Sequence, residues 1–188
     1  MTTIVVGGHA RKVGKTSVAA GLISAFSNLP WTAVKISSHK HPGFSGAGDC
    51  EIFFETSRRG DSDSSRYLCA GASKSLWVRA TEENYGAAVQ QLLPIIQSDP
   101  FLIIESNRIL DFIEPDLCIM VLKYDVEDFK DSARKMIAKA DAAVAVNGDS
   151  LSPSWEGISE ALARIPIFTT PDPQALPKEL INFVSLRL

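Results

Sequence analysis

The residues best equipped for chemistry lie near the amino terminus, in the run Gly7-Gly8-His9-Ala10-Arg11-Lys12-Val13-Gly14-Lys15-Thr16-Ser17. Gly14-Lys15-Thr16, placed between a β-branched run and a helix-like segment, has the make-up of a phosphate-binding loop. A glycine at 14 lets the backbone curl so that successive N–H groups point into one concavity. Lys15 brings positive charge to the β and γ phosphates of a nucleotide, Thr16 offers a hydroxyl to Mg²⁺, and the helix start adds its partial positive charge. Gly8, His9, Arg11, Lys12, Val13 and Ser17 complete the candidate nucleotide-binding loop. The spacing is not the strict GxxxxGK[ST], because His9 stands five positions before Gly14 and Gly8 six. His9 has two readings, contact with a phosphate oxygen or packing over the loop. Arg11, Lys12 and Lys15 lie so close in sequence that they repel one another unless an anion sits among them.

Phosphoryl chemistry also needs hard oxygen ligands for Mg²⁺. Glu105 ends the apolar run Phe101 to Ile104, and Asp63 opens a helix-like segment, where an aspartate is also a good N-cap. With Thr16 they form the candidate Mg²⁺ set, and with Lys15 the candidate catalytic set. Two histidines, His39 and His41, flank Lys40 ahead of Cys50. They read as anion-binding or proton-handling groups, since no full ligand set for zinc accompanies them. For the base, Asn147-Gly148-Asp149 follows a late strand; Asn147 either pairs with a purine or belongs to a turn. The Thr169-Thr170-Pro171-Asp172-Pro173 loop is a second candidate for packing against the base.

Charge distribution agrees with an anion site. The chain has 188 residues with a net charge of -3, yet residues 1–48 carry Arg11, Lys12, Lys15, Lys35 and Lys40 and no acid. The remaining 14 basic and all 22 acidic side chains come later. A balance of this kind, with 22% charged and 45% hydrophobic residues, argues against disorder and against a nucleic-acid-coating protein. Three scattered cysteines without CxxC encode neither a disulfide framework nor a zinc knuckle. No run approaches the roughly 18 apolar residues of a membrane span, and the expectation is an unanchored cytoplasmic protein.

These side chains must be delivered by elements, and the hydrophobic pattern supplies them. Apolar strands are expected at Thr3–Val6, Thr32–Ile36, Ser75–Arg79, Phe101–Ile104, Leu117–Leu122, Ala142–Val146 and Ile167–Thr169. Helices are expected over Thr16–Phe26, Asp63–Ala70, Glu82–Gln97, about Val126–Ala140, Trp155–Ala163 and Pro177–Leu186, with Gly71 as a left-handed cap. Residues 38–62 read as a long functional or mobile loop. The alternation predicts one domain over 1–188, an α/β fold with a mostly parallel sheet sandwiched by helices. Ligands of such sheets bind at the carboxyl ends of the strands.

The loop, Lys35 after the second strand, His39-Lys40-His41, Asp63-Ser64 and Ala70-Gly71-Ala72 together resemble molybdopterin-guanine dinucleotide biosynthesis protein B. The resemblance covers roughly the first 110 residues. Two features depart from that pattern: Glu105 precedes Ser106-Asn107 instead of Gly, and Arg11-Lys12-Val13 stands where small residues are usual. The resemblance implies a P-loop NTPase of the signal-recognition, MinD and dethiobiotin-synthetase branch (SIMIBI). It implies Lys15 and Thr16 at phosphates and Mg²⁺, Asp63 and Glu105 as Mg²⁺ or water-positioning groups, and Lys35 reaching toward the γ phosphate or a second anionic ligand. It further implies GTP with Mg²⁺, slow hydrolysis, and a homodimer assisting a molybdopterin guanylyltransferase and its molybdopterin substrate. Two alternatives stay open: an ATP-dependent ligase or small-molecule kinase like dethiobiotin synthetase, and a nucleotide-binding adaptor that does not hydrolyse.

Overall fold

The computed structural model describes residues 1–37, 50–146 and 155–188. The elements run β1 (Thr2–Gly8), α1 (Lys15–Ala25), β2 (Trp31–Ser37), β3 (Cys50–Phe54), α2 (Asp63–Cys69), β4 (Lys74–Ala80) and α3 (Tyr85–Ile96). There follow β5 (Phe101–Glu105), a 3₁₀ turn (Arg108–Asp111), β6 (Leu117–Lys123), α4 (Asp131–Ile137), β7 (Ala142–Val146), α5 (Ser159–Leu162), β8 (Ile167–Thr170) and α6 (Lys178–Ser185). They build an eight-stranded sheet in the order β3-β4-β2-β5-β1-β6-β7-β8. Every pairing is parallel except β3 with β4.

Helices cover both faces, so the central strands are apolar throughout: β6 is buried from Leu117 to Leu122 and β7 along its whole length. On one face Ile4, Val6, Ala33 and Ile103 pack beneath Val18 and Leu22 of α1, Tyr67 and Leu68 of α2, and Leu180 and Val184 of α6. On the other, Val5, Val34 and Ile104 meet Val89, Leu92 and Ile96 of α3, Ala133 and Met136 of α4, and Leu162 of α5. Alternate residues of one strand thus feed opposite cores, as the period of two requires.

The expected strands and helices are present, with shorter helices: α3, α4 and α5 each lose residues at their amino ends. The reading of residues 38–62 as loop needs correction at Cys50–Phe54, which forms an antiparallel edge strand on β4. Ser62, and not Asp63, caps α2, its hydroxyl accepting from Ser65 N at 3.0 Å. Gly71 takes the left-handed conformation expected of it, with φ +112°. No helix among the described residues is long and apolar enough to cross a membrane.

Candidate functional site

β1 ends at Gly8 and α1 begins at Lys15, so residues between them form a loop over the carboxyl end of the sheet. Two glycines shape it. Gly14 has φ +103°, which an L side chain rarely adopts, and hands the chain into α1. A Cβ at Gly8 would lie 2.8 Å from Val13, 2.9 Å from Lys15 and 3.0 Å from the Val121 carbonyl. The first turn of α1 has no side-chain cap and no acid, which leaves its outward N–H groups for a ligand.

Within this loop Lys15 Nζ donates to the Ala10 carbonyl at 2.7 Å. Burial, with Lys35 and Lys130 nearby, brings its ammonium down to about 8 against the pull of Glu105. A phosphate anion is the natural means of restoring the charge. Next to it Thr16 Oγ1 donates to Glu105 Oε2 at 2.6 Å, and the buried Tyr67 hydroxyl donates to the same oxygen. Lys35 Nζ donates to Glu105 Oε1 at 2.9 Å and to Thr16 Oγ1 at 3.3 Å, and lies 2.5 Å from Asp63 Oδ2. Burial works against the Lys35 charge, but the Glu105 and Asp63 carboxylates outweigh it and hold the ammonium protonated above its ordinary range. Thr16, Glu105 and Asp63, which the sequence marks as Mg²⁺ ligands, thus gather around one cation.

Sheet register explains this meeting. Lys35 is the register partner of Glu105, and Val6 pairs with Glu105 from the other side. Three adjacent strands therefore bring the loop, the acid and the lysine to one row, while α2 adds Asp63 and Tyr67 from above. Thr16, Glu105 and Asp63 suit Mg²⁺ in chemistry: all are oxygen donors, and Mg²⁺ takes one or two carboxylates with phosphate and water completing its shell. No group of three His, Cys, Asp or Glu side chains that could hold a metal occurs among the described residues.

The other candidates divide. Gly8, Arg11, Lys12, Gly14, Lys15, Thr16, Ser17 and Lys35 line one cleft of about 1260 Å³ with Asp63 and Glu105. Arg66, Arg108 and Lys130 join them from distant parts of the chain. His9 turns away: it is fully buried, its Nδ1 lies 2.7 Å from the Asp128 carbonyl, and its Nε2 accepts from Lys123 N at 3.0 Å. That pattern makes it a neutral imidazole with its proton on Nδ1, stacked on Phe129 and packed on Trp155. Of the two readings for His9, the structure has the packing one. Val13 is likewise core, 1% exposed. Pro173 packs on the outside of Gly14, so the Thr169–Pro173 segment buttresses the loop. Asn147, His39, Lys40 and His41 lie outside the described residues.

Sequence reasoning missed several groups. Asn107 forms a two-point amide pair with Gly8: Gly8 N donates to its Oδ1 at 2.9 Å and its Nδ2 donates to Gly8 O at 3.0 Å. Its signal was visible as the departure after Glu105, but its role depends on β5 lying beside β1. Arg66 Nη2 donates to Ser17 Oγ at 2.8 Å. Glu55 accepts from the Ser62 and Ser64 hydroxyls at 2.9 and 2.8 Å, pinning the approach to Asp63. Backbone and hydroxyl donors keep that carboxyl below its usual range.

No family model matches the chain, and no curated protein matches it. Solved structures do. HypB of Helicobacter pylori, in complex with nickel, is 16% identical with a TM-score of 0.58, over 100% of this chain and 86% of that one. LpxK of Aquifex aeolicus, in complex with ATP, is 21% identical with a TM-score of 0.52, over 90% of this chain and 53% of that one. MobB of Bacillus subtilis is 16% identical over 100% of this chain and 98% of that one, with a TM-score of 0.47. At these identities the likeness concerns the fold. It is an α/β fold with a mostly parallel sheet flanked by helices, shared with HypB and LpxK.

Proposed function

We propose that the chain binds a Mg²⁺–nucleoside triphosphate at the β1–α1 loop and hydrolyses it slowly. The observation that carries this reading is the Thr16–Glu105 hydrogen bond of 2.6 Å, which joins a hydroxyl from the first turn of α1 to the carboxylate that ends β5, beside a curled Gly-Lys loop. Thr16 and Glu105, together with Asp63, would hold Mg²⁺, which would supply charge neutralisation for the β and γ phosphates. The chain's own residues do the rest. The loop N–H groups and Lys15 seat the phosphates, Lys35 faces the γ phosphate, and the half-exposed Asp63 orients water. No buried unpaired base is available among the described residues near that position, so the intrinsic rate is slow.

The finer reading, supported by the sequence resemblance alone, is a guanine nucleotide and a role in molybdopterin guanine dinucleotide synthesis. The partners on that reading are a guanylyltransferase, molybdopterin and a second copy of this chain. The kinase or ligase alternative with ATP stays beside it, since the cleft runs past the loop to Trp77, Tyr85 and Arg108. Calorimetric titration of Mg-GTP and Mg-ATP into wild type and Lys15→Ala tests the reading. Binding lost in Lys15→Ala supports it, and failure of both nucleotides to bind wild type overturns it. Preference for GTP supports the guanine assignment; equal affinity removes it. Phosphate release from wild type, compared with Glu105→Gln and Asp63→Asn, separates a hydrolase from an adaptor.

A further inference from the structure

The arm of the cleft over β2 and β5 is rich in donors that no described residue consumes. Arg108 has no carboxylate partner among the described residues; its guanidinium lies 4.5 Å from the centre of the Tyr85 ring and donates to the Glu82 carbonyl at 3.4 Å. The Tyr85 hydroxyl and Ser106 Oγ are 2.6 Å apart. That pair owns two hydroxyl protons and spends one between its members. Burial pushes the Tyr85 phenol up to about 12, so it keeps its proton. Ser37 Oγ accepts from the Trp77 indole N–H at 3.1 Å, which leaves the Ser37 proton without an acceptor among the described residues. All four side chains line the cleft.

Their placement separates them from the nucleotide loop. β2 lies two strands from β1, with β5 between, which at strand spacing is about 10 Å. Ser37 ends β2, Ser106 follows β5, Tyr85 opens α3, and Arg108 begins the 3₁₀ turn. Glu105 and Lys35 stand between this group and the loop, with their charges already committed to each other. The guanidinium and the hydroxyl protons line the same cleft and are the groups that complement an oxyanion, while the Glu82 carboxylate, also in the lining, sets the side from which an anion is repelled.

We propose that Ser37, Tyr85, Ser106 and Arg108 form a second anion subsite, which holds a small ligand through a carboxylate or phosphate group on the far side of Glu105 from the loop. Taken with the nucleotide reading, on which only its role as a second-substrate site rests, this subsite gives an occupant to the part of the cleft beyond Glu105. The ligand's anionic group is anchored there, and the body of the molecule extends toward Lys35 and Asp63.

The test is calorimetric titration of the full chain with inorganic phosphate, and separately with succinate, in wild type, Lys15→Ala, Arg108→Ala and Ser37→Ala. Two phosphates per chain are expected in wild type, one of them lost in Lys15→Ala and the other weakened about tenfold in Arg108→Ala and less in Ser37→Ala. Succinate binding at the Arg108-dependent site assigns a carboxylate ligand; phosphate alone assigns a phosphorylated one. A single phosphate that disappears in Lys15→Ala and is indifferent to Arg108→Ala and Ser37→Ala overturns the proposal, while Mg-nucleotide binding measured in parallel remains intact. An Arg108-dependent anion in a protein that binds no nucleotide overturns the nucleotide reading and leaves the subsite standing. Circular dichroism of Arg108→Ala must match wild type; where it does not, Arg108→Lys, which keeps the charge and loses the fork, is expected to bind phosphate with intermediate affinity, and unaltered wild-type affinity in that variant also overturns the proposal.

Discussion

Lys35 and Glu105 are register partners on adjacent parallel strands, and their side chains meet at 2.9 Å with Glu105 only 5% exposed. The ammonium reaches Thr16 and Asp63 as well, so it draws on the same oxygens that Mg²⁺ would use. Replacing it exposes how much of the site's order depends on a cation. Lys35→Met leaves a buried carboxylate without its charge partner, and a loss of about 3 kcal/mol is expected in urea unfolding. Added Mn²⁺ should raise the melting temperature of Lys35→Met more than that of wild type. Equal shifts in both proteins would show that the two cations do not share a position.

Tyr67 is the donor that fixes the other side of the same carboxylate. Its hydroxyl is fully buried, and burial followed by the Glu105 charge raises it well above the ordinary tyrosine range. It therefore remains a donor at every physiological pH. Tyr67→Phe removes one bond to a charged acceptor while keeping the ring's packing, and about 2 kcal/mol of stability is expected to go with it. Unchanged urea unfolding would show that Thr16 and Lys35 alone satisfy Glu105.

The site was legible where chemistry is written in consecutive residues and obscure where it depends on register. Gly14-Lys15-Thr16 and the strand-ending Glu105 stand out because an apolar run points directly at them. Tyr67 gives no such signal, since its partner lies 38 positions away on a strand that only folding brings beneath α2. β3 was hidden for a related reason. Cys50–Phe54 follows a Gly- and Ser-rich stretch and is half-exposed at the sheet edge, so its burial pattern lacks the apolar continuity of the inner strands. Its pairing with β4 is a property of the later chain. The acid-free opening singles out the loop cations and Lys35 of this cleft, yet Arg66, Arg108 and Lys130 reach the same cleft from the acidic remainder.

Asn107 ties the end of β5 to the loop through both edges of its amide. Asn107→Asp replaces a donor with a carboxylate oxygen beside the Gly8 carbonyl and places negative charge near the phosphate seat. Nucleotide affinity is expected to fall about tenfold or more, with a lower melting temperature. Calorimetry at matched Mg²⁺ concentration measures the first and thermal unfolding the second. A fall in melting temperature with unaltered affinity would confine Asn107 to a structural role.

Lys15 makes binding pH-dependent in a defined direction. Its ammonium is lowered to about 8 by burial, against an ordinary value of 10.5. Below about 8 the folded and unfolded chains both hold the proton. Between about 8 and 10.5 the unfolded chain holds it and the folded chain has released it, so stability rises with pH through that window. A phosphate at the loop restores the charged form. Binding at about pH 9 should therefore take up a proton, approaching one per chain, and binding at about pH 6.5 should take up none. Titrations in buffers of different ionisation enthalpy read this directly, and Lys15→Met should abolish the difference. Proton uptake that persists in Lys15→Met would assign it to another group, with Lys130, lowered by burial and by Arg11, the first to test.

His9 sits inside the loop sequence but outside the site, and that separation can be measured. Both ring nitrogens are spent on backbone groups of residues 123 and 128, and burial keeps the imidazole below its usual range and neutral. His9→Phe preserves an aromatic ring against Phe129 and Trp155 but leaves a buried N–H and a carbonyl unpaired. The expected result is a stability loss of about 2–4 kcal/mol, from two unsatisfied groups at about 1–3 kcal/mol each with partial relaxation. At a temperature where the variant is fully folded, nucleotide affinity should stay within about threefold of wild type, because the buried His9 side chain is not among the groups that line the cleft. A large affinity loss in a folded, stable variant would return His9 to the phosphate site.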